Sequence, residues 1–122
     1  MTRSEFDRNY TSRFNPQQLK AVHAVDGAVL LLAVPGSGKT TVLVTRLGYM
    51  LCCCGISPDA ILTMTYTKAA TREMQKRFVR LFGQDCPQVP EIRTINGVSS
   101  KIIDFYARTH GSGSTFTVVE NE

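Results

Sequence analysis

An unbroken apolar run, Ala28 to Val34, passes directly into Pro35-Gly-Ser-Gly-Lys-Thr40 and then into a helical pattern. No other part of the sequence constrains the fold as strongly. A short continuous apolar run suits a strand covered on both faces, as in a parallel sheet, and is far below the roughly 20 residues that span a bilayer. Gly36 and Gly38 carry no Cβ, so the backbone N–H groups around them can converge on one anion. A helix starting at that point adds its own free N–H groups and the positive end of its dipole. Lys39 can then reach the β and γ oxygens of a nucleotide, and the Thr40 hydroxyl can bind Mg²⁺. Residues 33–40 fit the phosphate-loop pattern, with Ala33 where Gly is usual. Pro35, Gly36, Ser37, Gly38, Lys39, Thr40 and Thr41 are therefore candidate nucleotide contacts. Lys39 and Thr40 are the candidate catalytic residues, and Thr40 the candidate Mg²⁺ ligand. Such a loop names neither the base nor the reaction.

Around this junction, helical and strand-like segments alternate. Asn15-Pro16 is a helix start, Asn as cap and Pro at the first helical position, with Leu19, Ala21, Val22 and Val25 apolar and Asp26-Gly27 a turn. Thr40 to about Cys54 reads as a helix with Gly55 as its stop. Ile61 to Tyr66 is β-branched and strand-like, and Lys68 to Phe82 is an amphipathic helix closed by Gly83. Glu91 to Ile95 reads as a third strand, Val98 to about His110 as a helix, Gly111 to Ser114 as a loop and Thr115 to Val119 as a final strand. Strand and helix in this rhythm predict an α/β fold built of βαβ units on a parallel sheet.

The chain has 122 residues, 43% hydrophobic and 20% charged, which suits one folded domain and excludes a disordered chain. The amino terminus shows no signal peptide, and the reading is of a cytoplasmic protein without a membrane segment. Fourteen Lys and Arg against ten Asp and Glu give a net charge of +4, a mild hint of a polyanionic partner. Of the four cysteines, Cys52, Cys53 and Cys54 are contiguous and Cys86 is distant, so no C-x-x-C metal pair exists. They read as thiols packed on and around a buried helix in a reducing compartment.

Three further segments carry a resemblance. Phe14-Asn-Pro-Gln-Gln-Leu-Lys-Ala-Val22 lies ahead of the phosphate loop. Thr65-Tyr-Thr-Lys-Ala-Ala-Thr-Arg-Glu-Met74 follows it, and Thr94-Ile-Asn-Gly-Val-Ser-Ser-Lys101 comes next. Together with the loop they resemble superfamily 1 DNA helicases of the Rep, UvrD and PcrA kind. The first resembles that family's Q motif, which implies that Gln18 reads adenine. A carboxamide can donate to and accept from one edge of that base. The second is similar to motif Ia, which lies on single-stranded DNA. Its hydroxyls, helix start and basic side chains can hold phosphates, and Tyr66 offers a stacking face. The third resembles motif Ib, with Asn96 in place of His and Lys101 in place of Arg. The resemblance thus marks Thr65, Tyr66, Thr67, Lys68, Arg72, Thr94, Asn96 and Lys101 as DNA contacts. The family usually has Phe at Tyr66, and relatives often carry Arg at Thr41.

The resemblance runs from about Phe14 to Glu120 and implies a P-loop NTPase of RecA-like form. Residues 1–13 would be an N-terminal arm. Residues 14–122 would be the first part of the ATP-binding lobe, ending before the Walker B motif, since no Asp-Glu dipeptide occurs. The implied cofactors are ATP and Mg²⁺. The implied partners are single-stranded and duplex DNA and a second RecA-like lobe, and the implied activity is ATP-driven 3′ to 5′ translocation and unwinding. The chain alone would bind nucleotide weakly and not unwind. Two alternatives remain from the residues: a small stand-alone P-loop nucleotide protein such as a kinase or GTPase, though no Asn-Lys-x-Asp signature occurs, and a non-catalytic nucleic-acid or partner-binding module.

Overall fold

Among the described residues, four of the five α-helices open on a side chain that captures a backbone N–H the helix itself cannot use. The computed structural model describes residues 1–32, 38–86 and 88–110. Helix α1, Arg3–Tyr10, has Thr2 as its cap, with Glu5 reaching back to complete a capping box. Helix α2, Pro16–His23, has the same reciprocal arrangement between Asn15 and Gln18, with Pro16 at its first turn. Helix α3, Lys39–Cys52, is the exception: it opens on Gly38 in the left-handed region at φ 81°, with no side-chain cap. Strand β1, Leu62–Thr65, leads into α4, Lys68–Phe82, capped by Thr67. Strand β2, Glu91–Thr94, leads into α5, Ile95–Thr109, capped by Thr94.

β1 and β2 pair in parallel, Leu62 beside Glu91 through to Thr65 beside Thr94, with α4 as the crossover. This is the βαβ unit that the alternation of segments predicts, and the class is α/β. The apolar run is different. Residues 28–32 lie in no strand, and Leu30 and Leu32 are 82% and 83% exposed. A strand buried on both faces needs neighbours to take its backbone groups, and among the described residues β1 and β2 pair only with each other. Residues 33–37, including Ala33, Val34, Pro35, Gly36 and Ser37, lie outside the described residues. So do the loop from Gly111 and the strand expected at Thr115 to Val119.

The core is built where α3 meets α4. Phe78 and Phe82 from α4 and Val44 and Leu47 from α3 are buried together with Val22 and Ile92. Gly48 is required at this crossing, because a Cβ there would run into the Phe82 ring. Helix α1 completes the same core: Phe6 is fully buried, with its ring 5.4 Å from Tyr49 and 5.9 Å from Phe82. Polar contacts fix the docking of α1. Arg3 Nη2 donates to His23 Nδ1 at 2.8 Å, so the His23 Nε2–H faces Asp7 Oδ1, also at 2.8 Å. Tyr10 reaches Asp85.

Cys52 and Cys86, expected as free thiols, are joined as a disulfide across 34 residues. The packing of α3 on α4 brings the end of α3 to the segment after α4, which spacing alone did not reveal. Cys53 and Cys54 remain free, and burial pushes the Cys53 thiol up from its ordinary range.

Candidate nucleotide and nucleic-acid site

Helix α3 opens at Lys39, at the end of the phosphate-loop sequence. Lys39 is exposed there, with Thr40 and Thr41 partly buried behind it. Gly38 can take φ 81° because it has no Cβ, and this turns the chain into the helix without a capping hydroxyl. Among the described residues no side chain caps the first-turn N–H groups. A cavity of about 170 Å³ adjoins this start, lined by Lys39, Val42 and Arg46 of α3, Ala21 of α2, and Val29 and Leu31. Arg46 fastens α2 beside it, donating from Nε and Nη2 to the Ala24 carbonyl at 3.2 and 2.8 Å. Gln18 lies on α2, one turn before Ala21. Its Oε1 accepts the Asn15 N–H at 3.0 Å, so that oxygen already serves the helix cap.

A residue outside the sequence-derived set enters here. Arg77 of α4 donates from Nη1 to Thr41 Oγ1 at 2.8 Å and from Nη2 to Glu73 Oε1 at 2.6 Å. Its Nε is buried with no acceptor. The Glu73–Arg77 spacing of four was the signal available in the sequence, since such pairs meet on a helix face. The reach to Thr41 was not, because it depends on how α4 crosses α3.

The register of the two strands brings the other candidates together. Thr65 and Thr94 are partners at the carboxyl ends of β1 and β2, so the segments 65–68 and 94–97 leave the sheet side by side. Each then opens a helix, so two helix N-termini stand together at the end of a parallel sheet where ligands generally bind. Tyr66 is 91% exposed, and Asn96 lies exposed in the first turn of α5. Arg72 is exposed further along α4. Thr67 and Thr94 spend their hydroxyls on caps, accepting from the Ala70 and Gly97 N–H groups, each at 3.0 Å. Lys68 begins α4 beside them.

Two candidates stand apart from that group. Thr65 is buried, and its hydroxyl donates to the Thr67 carbonyl at 3.1 Å and meets the Thr71 hydroxyl at 2.5 Å. It shapes the turn from inside. Lys101 folds back along α5 and donates to Glu91 Oε1 at 2.7 Å, at the opposite end of β2 from Thr94. That bond, with a second from Arg93, holds the Glu91 carboxyl below the usual carboxylate range. Among the described residues no cluster of His, Cys, Asp and Glu is placed to hold a metal ion, and no helix is long and apolar enough to cross a membrane.

Comparison with known proteins identifies the family of the chain. The model of the UvrD/REP helicase N-terminal domain matches residues 14–122, and the chain belongs to that family. Proteins named ATP-dependent DNA helicase PcrA are among its relatives. The one from Leuconostoc citreum is 30% identical over 110 residues, covering 90% of this chain and 15% of the relative. That from Staphylococcus aureus is 34% identical over 109 residues, 89% of this chain and 15% of the relative. That from Staphylococcus epidermidis is 35% identical over 106 residues, 87% and 14%. The chain therefore spans about 15% of the length of the relatives it matches.

Proposed function

We propose that this chain forms part of the RecA-like, ATP-binding lobe of an ATP-dependent DNA helicase that moves 3′ to 5′ on single-stranded DNA in the cytoplasm and unwinds duplex. The observation that carries the nucleotide half of this reading is the start of α3. A phosphate-loop sequence feeds a helix that begins at Gly38 without a side-chain cap, while Lys39 stands exposed on its first turn. In this reading the loop amides and Lys39 hold the β and γ phosphates, Gln18 meets the adenine, and Thr40 is the residue that would bind Mg²⁺. Bound Mg²⁺ would neutralise charge on the phosphate oxygens. The nucleic-acid half rests on the paired strand ends, where Tyr66, Lys68, Arg72 and Asn96 offer a stacking ring, two cations and a donor.

The test is a thermal shift. A ligand that binds only the folded chain stabilises it by about 2.7 kcal/mol when present at 100 times its dissociation constant. MgATP should raise the melting temperature of the wild-type chain, and Lys39→Ala should abolish the rise. An equal shift in both proteins refutes the phosphate-loop assignment.

A further inference from the structure

Resting on the nucleotide-binding reading above, we infer that Arg77 is a positioning residue for the helix start at the end of the phosphate-loop sequence: its guanidinium holds the first turn of α3 in register from α4. Thr41 follows directly on Thr40, so its hydroxyl reports where that turn sits. Arg77 Nη1 donates to that hydroxyl at 2.8 Å, and Glu73 grips the other terminal nitrogen at 2.6 Å. A planar fork with two partners on two elements fixes direction as well as distance, which a lysine cannot do.

Packing alone does not account for this arginine. Its side chain is only 24% exposed and its Nε is buried with no acceptor. An apolar side chain of similar volume would avoid that desolvated donor, and replacing buried ionic groups in this way is often neutral or stabilising. The bond matters where it lands. Helix α3 opens on Gly38 without a capping side chain, so its start lacks the local brace that Thr2, Asn15, Thr67 and Thr94 give the other four α-helices. Arg77 supplies a brace from outside. It also belongs to the helix whose own start carries Thr67, Lys68 and Arg72, so the nucleotide turn and the strand-end segment share one rigid support.

The experiment titrates the full 122-residue chain with a fluorescent N-methylanthraniloyl-ADP in Mg²⁺, comparing wild type, Arg77→Gln, Thr41→Val and the double variant. Residues coupled in one network show interaction energies equivalent to about two- to 150-fold in an equilibrium constant. Arg77→Gln should therefore weaken nucleotide binding at least about twofold, and the double variant should bind no worse than the weaker single variant. Equal affinity in wild type and Arg77→Gln overturns the inference, as do losses that simply multiply in the double variant. A residue of purely structural importance would lower the melting temperature and leave the affinity untouched. Should Arg77→Gln fail to fold, Arg77→Lys keeps the stem and the charge but not the fork, and the same twofold criterion decides on it. A wild-type chain that takes up no Mg-nucleotide refutes the phosphate-loop assignment and this inference with it. A wild type that binds, with an unaffected Arg77→Gln, refutes this inference alone.

Discussion

Thr65 and Tyr66 are neighbours with opposite fates. Thr65 is the last residue of β1, and Tyr66 begins the bend that leads from it into α4. Thr65 turns inward to bond Thr67 and Thr71, and Tyr66 stands out almost fully in solvent at 91% exposure. A large ring so exposed contributes nothing to the core, which makes it a clean probe of the proposed nucleic-acid surface. Tyr66→Ala should weaken binding of an oligothymidylate by about 1–3 kcal/mol, the usual worth of one base stacked on an aromatic ring, with the melting temperature unchanged. Fluorescence anisotropy measures the first and calorimetry the second; unaltered DNA affinity removes Tyr66 from the interface. Resemblance marked both residues as contacts. Separating them needed the end of β1 and its buried face to be known, and the hydroxyl chain from Thr65 to Thr71 depends on a turn that no spacing rule describes. Lys101 was out of reach for the same reason, because its partner Glu91 lies ten positions away on another element. Gln18 is a subtler case: the Asn15–Gln18 spacing already spells a capping box, so one residue has two readings, and its oxygen serves the cap here.

At the scale of elements, what the sequence makes legible is whatever is locally determined. Asn15-Pro16 opens α2, and α4 runs from Lys68 to Phe82 with Gly83 as its C-cap, because caps and amphipathic periods act over a few residues. Helix α5 begins at Ile95, three residues ahead of Val98. Asn96-Gly97 looks like a poor helix start until the Thr94 hydroxyl is seen to accept the Gly97 N–H. The apolar run at 28–32 marks the limit of such reasoning. Its composition suits a buried strand, but a strand is defined by its neighbours, and these residues have none in the described sheet. Close approach of elements is equally invisible from composition. Gly48 looks like a weakness inside a helix, yet it makes room for the Phe82 ring. Gly48→Ala would raise helix propensity, and should still destabilise the chain by about 1–3 kcal/mol through overpacking. Urea unfolding checks this. A stabilised variant would mean that α3 and α4 slide apart at no cost.

For the whole molecule, part of the +4 charge can be placed. Lys39 lies at the exposed start of α3 and Arg72 on the exposed face of α4, while Arg3, Arg46, Arg77 and Lys101 are engaged in internal contacts. This leaves positive charge near both proposed ligand sites. Phosphoryl transfer also requires charge neutralisation on the far side of the γ-phosphate, and an arginine supplied there is commonly worth about 10³–10⁵ in rate. The sequence holds no Asp-Glu pair. The 122-residue chain should accordingly show no DNA-stimulated ATPase, which a coupled phosphate-release assay measures. DNA-stimulated turnover at roughly the 1–10³ s⁻¹ usual for enzymes would refute this expectation.

Helix α1 carries one more consequence. The family match begins at residue 14, whereas Phe6 is fully buried against Tyr49 and Phe82. Likeness to relatives and core packing thus draw different borders. A gene cut at the edge of the recognisable family would remove the ring that fills the meeting point of α3 and α4. Residues 1–13 carry none of the proposed chemistry, yet through Phe6 and Tyr10 they supply part of the core.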